Sequence, residues 1–169
     1  MSEAVESEAP ARSAPARDWR VRAASGEDVP AVAAAIEELL VELGGKRPPM
    51  SELESATRTL VEDATAGALL VAEAGGEIVG VLAGSWQHAV HVPGRYGTVQ
   101  DLWVHPSWRS RTIGHDLMEE FAGVARERGI GRLEVGLPQE GFAAIRATEA
   151  FYRRNGFDPL GPRMRRLLS

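Results

Sequence analysis

An α/β domain built on one mixed sheet is the fold class the sequence predicts, and three observations predict it. The apolar pattern switches repeatedly between a period of 2 and a period near 3.6, so strands and helices interleave along the chain. From residue 18 onward the order reads strand, two helices, three strands, helix, strand, helix, two strands, enough for a sheet of six to seven strands flanked by helices. The chain has 169 residues, 44% of them hydrophobic and 25% charged, which is the size and balance of a single domain with a real core.

Residues 1–17 hold Ala, Ser, Glu, Pro and Arg with Val5 as the one larger aliphatic, so they are predicted to be a disordered tail preceding a domain at 18–169. WRVRA from Trp19 alternates like a short strand. Val32, Ile36, Leu39, Leu40 and Leu43 share one face of a helix that Gly44-Gly45 ends. Ser51 and Glu54 have the spacing of a capping box, opening a second helix with Leu53, Leu60 and Val61. ALLVAEA (68–74), Gly75-Gly76 and EIVGVLAGSW (77–86) read as a β-hairpin. A polar loop rich in His and Gly follows, then a strand at 98–104 that Pro106 ends. Ile113, Leu117, Phe121 and Val124 mark an amphipathic helix from Thr112 to about Arg128. RLEVGL (132–137) is a strand, Phe142 to Asn155 a helix closed by Gly156, and FDPLGPRMRRLL two short strands around Gly161-Pro162.

Composition excludes several function classes. With no cysteine there is no disulfide framework, thiolate metal site or cysteine nucleophile. No apolar run approaches the ~18 residues of a membrane span, and MSEAVESEAP lacks the basic and apolar regions of a secretory signal, so the expected setting is cytoplasmic. A formal net charge of −5 argues against nucleic acid or anionic membrane as partner. His88 and His91 form an H-x-x-H pair with no further ligand cluster in the sequence, and no metal is expected.

The stretch DLWVHPSWRSRTIGHDLMEEF (101–121) carries the chemistry. A strand is broken by Pro106, and a basic turn with small residues feeds directly into a helix. A helix N-terminus presents unpaired N–H groups and partial positive charge, so it attracts anions, and Arg109 and Arg111 add formal charge there. The plainer reading is an exposed turn with solvated arginines.

VHPSWRSRTIGHDLM resembles the acyl-CoA-binding motif of the GCN5-related N-acetyltransferase (GNAT) family, Arg/Gln-x-x-Gly-x-Gly/Ala after a strand, with Arg109, Ile113 and Gly114 in place and Thr112 where the first glycine belongs. Downstream, AFYRRNGF (150–157) resembles the family's helix ending in a tyrosine followed by Gly-Phe. The element order over 18–168 is similar as well. The resemblance implies a fold in which strands 4 and 5 are parallel but splay apart, admitting the acyl-pantetheine arm.

It further implies direct attack of an amine on the thioester of acetyl-CoA, the co-substrate, in a ternary complex. Cofactor contacts fall on Leu102, Trp103 and Val104 of the strand and on Arg109, Ser110, Arg111, Thr112, Ile113, Gly114 and His115 of the turn, with strand N–H groups exposed at a bulge meeting the oxyanion. Tyr152 matches the position that stabilises the departing thiolate. Free tyrosine (pKa ~10) is a weaker acid than a thiol (~8.5), which favours a hydrogen bond over full proton transfer. Many relatives place a glutamate where this chain has Gln100, which cannot take a proton; Asp101 is the leading replacement as base, provided a bulge re-aims it, with His88, His91, His105 or solvent as alternatives. Ile145 stands where relatives often have an asparagine, and neither Arg146 nor Asn155 is assigned its role.

Acceptor recognition is expected from the 43–53 segment, the 86–97 loop with Trp86, His88 and neighbouring Gln100, and the C-terminal hairpin. The implied function is N-acetyl transfer, or transfer of another short acyl group, to a small-molecule amine, by a chain whose expected assembly is a homodimer. The competing readings are a non-catalytic acyl-CoA-binding module, which Gln100 favours, and transfer of a larger acyl group or from a carrier-protein thioester.

Overall fold

The structure is a computed structural model and describes residues 17–168. The tail reading of 1–17 therefore falls outside the described residues except at Arg17, whose guanidinium meets Asp116 at 2.8 Å.

Five strands form one sheet in the order β1 (Arg20–Ala23), β2 (Gly67–Ala74), β3 (Glu77–Ala89), β4 (Gly94–Val104), β5 (Leu133–Val135). Neighbours from β1 to β4 are antiparallel, and β4 and β5 are parallel. Helices α1 (Val29–Glu42) and α2 (Met50–Glu62) connect β1 to β2, α3 (Ile113–Glu127) connects β4 to β5, and α4 (Ile145–Arg154) follows β5. The β2–β3 turn uses Gly75 and Gly76 at φ 58° and 83°, the left-handed pair that a two-residue hairpin with the strand's own twist requires.

The sheet has one apolar core on each face. Ile113, Leu117, Met118 and Phe121 of α3 and Tyr152 of α4 pack on Leu70, Leu82, Trp86 and Val99. On the other face Val32 and Ala35 of α1 pack on Leu69, Val71, Val81, Ala83 and Trp103, with Leu60 and Val61 of α2 at the edge. Gly84 sets how closely α3 approaches, since a Cβ there would stand 2.2 Å from the Phe121 ring.

Four expectations need correction. The sheet has five strands rather than six or seven among the described residues, because 157–168 forms none. Pro159 and Pro162 remove ladder donors, and Leu160, Met164, Leu167 and Leu168 stay exposed, so the apparent alternation has no face to bury. The segment 86–97 is not an open loop: β3 and β4 extend as a hairpin, pairing Trp86 with Gly97 through Ala89 with Gly94, and only 90–93 turn. Ser51 and Glu54 close no capping box, since Pro49 takes the N-cap place and α2 starts at Met50. The final helix begins at Ile145, three residues later than its sequence pattern.

No helix among the described residues is long and apolar enough to cross a membrane.

Candidate active site

Strands β4 and β5 pair only from Gly97–Leu133 to Val99–Val135. Beyond that point β5 stops, while β4 continues to Val104, so the strands part and leave a fork. The His105 N–H donates to the Val79 carbonyl at 2.9 Å, which fixes the ladder alternation. Residues 101 and 103 face β3 with their backbone groups, so the N–H and C=O groups of Leu102 and Val104 turn toward the fork. The Val104 carbonyl accepts from Arg109 Nε at 3.0 Å.

A bulge lies at the base of the fork. Asp101 pairs with Ala83 and Val99 with Gly84, leaving Gln100 as the extra residue. Its effect is to bring two consecutive side chains to one face. Asp101 joins Trp103 on the side of α1 and α2, where Ala83 and Trp103 sit in that core. Gln100 leans the same way, its Nε2 donating to Ser85 Oγ at 2.9 Å, and Gln87 Nε2 donates to that hydroxyl at 2.8 Å. Asp101 is half-buried, and burial pushes its carboxyl above the ordinary value.

Tyr152 lies on α4, 8% exposed, with Phe151 and Phe157 edge-on at 5.2 and 5.5 Å between centroids. Its hydroxyl is pushed up to about 12, first by burial and then by the negative charge of Asp101, so the two groups sense each other electrostatically. No hydrogen bond to this hydroxyl occurs among the described residues, and none of their buried side-chain polar atoms lacks a partner. The hydroxyl is therefore not sealed in the core and remains free to meet a ligand.

At the mouth of the fork, the turn after Pro106–Trp108 places Ser110 at φ 65° and Thr112 at φ 69°. Both are in the left-handed region, Thr112 where the motif carries its first glycine. The Asp116 N–H closes on the Thr112 carbonyl at 2.9 Å, so the N–H groups of Ile113, Gly114 and His115 precede the helical ladder and point out of the helix end. Gly114 lets that end pack on α4, since a Cβ would come 3.2 Å from the Phe151 ring. Ser110→Gly and Thr112→Gly are each expected to stabilise the protein by about 0.5–1 kcal/mol, because left-handed strain outweighs glycine's chain entropy. Melting should rise by about 1–4 °C for each; an unchanged or lower melting temperature would show the turn unstrained.

The charged side chains at this mouth divide. Arg111 lies over the Trp108 ring at 4.8 Å. Arg109 instead forks onto Glu42 of α1, with Nη1–Oε1 2.9 Å and Nη2–Oε2 2.7 Å, a partner 67 residues away that sequence reasoning missed. His115 Nδ1 meets Asn155 Oδ1 at 2.7 Å, and Asn155 Nδ2 donates to the Phe151 carbonyl, which ties α3 to the end of α4. Asn155 is thus occupied, and Ile145 opens α4.

Other candidate residues lie elsewhere. Trp86 is 7% exposed, stacked on Phe121 at 5.1 Å with its Nε1 donating to the Ala64 carbonyl, so it is a core residue rather than an acceptor contact. His88 is exposed opposite Arg95 and, by strand alternation from Trp86, on the α3 side, across the sheet from Asp101. His91 is exposed at the hairpin tip, near Tyr96. His105 stands edge-on to Trp103 at 5.9 Å, and its Nδ1 accepts from the Ser107 N–H. No group of three or more metal-ligating side chains occurs among the described residues.

On the α1 side of β4, a cavity of about 260 Å³ is lined by Glu37, Glu38, Val41, Glu42, Arg47, Trp103, Pro106 and Arg109.

Comparison with known proteins identifies the family of this chain. The sequence model of the "Acetyltransferase (GNAT) family" matches residues 34–157, from inside α1 to just past α4. An "IAA acetyltransferase" of Azospirillum brasilense is 34% identical over 134 residues, 78% of this chain and 84% of that protein. A "Streptothricin acetyltransferase" of Streptomyces lavendulae is 34% identical over 99 residues, 57% of this chain and 47% of its own length. A crystal structure of a "possible acetyltransferase" from Clostridium difficile 630 superposes with a TM-score of 0.76 at 17% identity, covering 90% of this chain and 99% of that one, a likeness of fold. The forked strands, the turn that caps α3 and the tyrosine of α4 are thus joined by a family match over most of the domain: the chain belongs to the GNAT acetyltransferase family and is an acyltransferase enzyme.

Proposed function

We propose that this acyltransferase moves an acetyl or similarly short acyl group from acyl-CoA to the amine of a small molecule, by direct attack within a ternary complex. The observation that carries the reading is the fork itself: a strand edge that turns the N–H groups of Leu102 and Val104 outward, bounded by a helix N-terminus at one end and by the bulge that carries Asp101 at the other, with the Tyr152 hydroxyl of α4 within reach of the Asp101 charge. Bound acyl-CoA supplies the activated thioester carbonyl. The residues fit such a group, because the N–H groups of 113–115 and the guanidinium of Arg111 suit a diphosphate, and the fork offers donors along a strand edge.

Each residue then has a defined task. The Leu102 and Val104 N–H groups are donors for a carbonyl oxygen that gains negative charge. Asp101 Oδ takes the proton of the incoming ammonium, and a carboxyl raised by burial is the stronger base for it. The Tyr152 hydroxyl, raised to about 12, stays protonated and donates a hydrogen bond to the departing sulfur. Full transfer to a thiolate of pKa ~8.5 would run uphill by about 5 kcal/mol, so Tyr152 stabilises the thiolate without surrendering its proton. The names of the two relatives, an acetyltransferase of IAA and one of streptothricin, support a small-molecule acceptor.

The binding half of this reading is tested without knowing the acceptor. Acetyl-CoA at a hundredfold excess over its Kd contributes about 2.7 kcal/mol to stability, a rise in Tm of roughly 5–10 °C for such a domain. Arg111→Ala is expected to cut that rise by about half. Absence of any rise at millimolar acetyl-CoA would overturn the proposed donor.

A further inference from the structure

Arg109 and Arg111 are two residues apart on one basic turn, yet they are held in opposite ways. Arg111 stacks on Trp108 and has no carboxylate partner among the described residues. Arg109 spends both terminal nitrogens on Glu42 at 2.9 and 2.7 Å, while its Nε donates to the Val104 carbonyl at the rim of the fork. The guanidinium is therefore hinged at the rim, with its charged fork turned toward α1. Glu42 is the last residue of α1, where a carboxylate lies unfavourably against the helix dipole unless a cation offsets it. Arg109 is that cation.

The pair is half-exposed, with side chains 44% and 39% accessible, so it is weak enough to be exchanged for a stronger partner. A diphosphate offers the same planar fork two oxygens carrying more charge. We propose that Glu42 is a positioning residue that gates the acyl-CoA site: it holds Arg109 on the α1 side in the free enzyme, and a diphosphate must displace it to recruit that arginine. The displaced carboxylate is left lining the cavity of about 260 Å³ beside Glu37, Glu38 and Trp103. The inference rests on the acyl-CoA reading above.

The test is a double-mutant cycle read by titration calorimetry with acetyl-CoA, which needs no acceptor. Glu42→Gln keeps the side chain's shape but removes its charge, and is expected to tighten acetyl-CoA binding by about three- to fivefold. Arg109→Ala should weaken binding by about tenfold. In the Arg109→Ala background Glu42→Gln should have almost no effect, because the residue acts through Arg109. Glu42→Asp, charged but too short for the two-pronged contact, should fall between wild type and Glu42→Gln.

If wild type binds but Glu42→Gln leaves the Kd unchanged or weaker, the gate is wrong and the acyl-CoA reading stands. If Glu42→Gln tightens binding equally with and without Arg109, the effect is general repulsion of phosphate, and the gate is again wrong. If wild type does not bind acetyl-CoA, both fail together. Unfolding midpoints of the five proteins, measured alongside, show that each was folded when titrated.

Discussion

Asp101→Asn is expected to lower kcat by about a hundred- to ten-thousandfold while making the protein harder to melt at neutral pH. The rate loss follows from removing the one half-buried carboxylate at the base of the fork, with a magnitude typical of a general base. The gain in stability follows from linkage. Burial raises the folded-state pKa of Asp101 above its unfolded value near 4, so the folded state holds the proton more tightly than the unfolded chain. Stability from this group is present at low pH and is lost as pH rises through the raised value. Asparagine removes that cost, so the variant's advantage should appear at pH 7 and close as pH falls below about 4. In the wild type, kcat/KM should have an acidic limb above the usual carboxylate range, and this limb should vanish in Asp101→Asn. A variant that retains wild-type turnover, or melts lower at pH 7, would remove Asp101 from the base role and return deprotonation to solvent.

Tyr152→Phe should reduce kcat by about ten- to a thousandfold, below the hundred- to ten-thousandfold of a full general acid because the hydroxyl lends a hydrogen bond and keeps its proton. The ring packs against Phe151 and Phe157, so the substitution keeps the core contacts. Because the hydroxyl has no partner among the described residues, its removal strands no donor or acceptor there, and folding and acetyl-CoA affinity should hardly change. The leaving-group role adds a sharper expectation. A thioester whose thiol is more acidic needs less help, so the deficit of Tyr152→Phe should shrink with such a donor. Equal deficits with both donors would indicate that Tyr152 merely orients its neighbours.

How far the sequence alone reaches is seen residue by residue. The helix with Ile113, Leu117 and Phe121 and the hairpin around Gly75-Gly76 are legible because local periodicity and turn chemistry dictate them. The splayed β4–β5 pair is read from family resemblance, since no local pattern records where two strands part. The C-terminal strands fail for a physical reason: alternation near Pro159 and Pro162 has neither ladder donors nor a face to bury. Trp86 misleads because an aromatic beside His and Gly looks like loop chemistry, whereas hairpin extension turns it onto Phe121. The bulge at Gln100 is a one-residue register shift set by both strands, so the face taken by Asp101 is settled only in three dimensions. Glu42 is the extreme case, a charge whose partner is 67 residues distant and carries no spacing signal.

Thiol release from acetyl-CoA across a panel of small amines, with the acylated product identified by mass, tests the central claim most directly. Direct transfer predicts that release depends on the amine, matches the acylated amine mole for mole, and collapses in both Asp101→Asn and Tyr152→Phe. Release that proceeds equally without amine, or that persists in both variants, would contradict it.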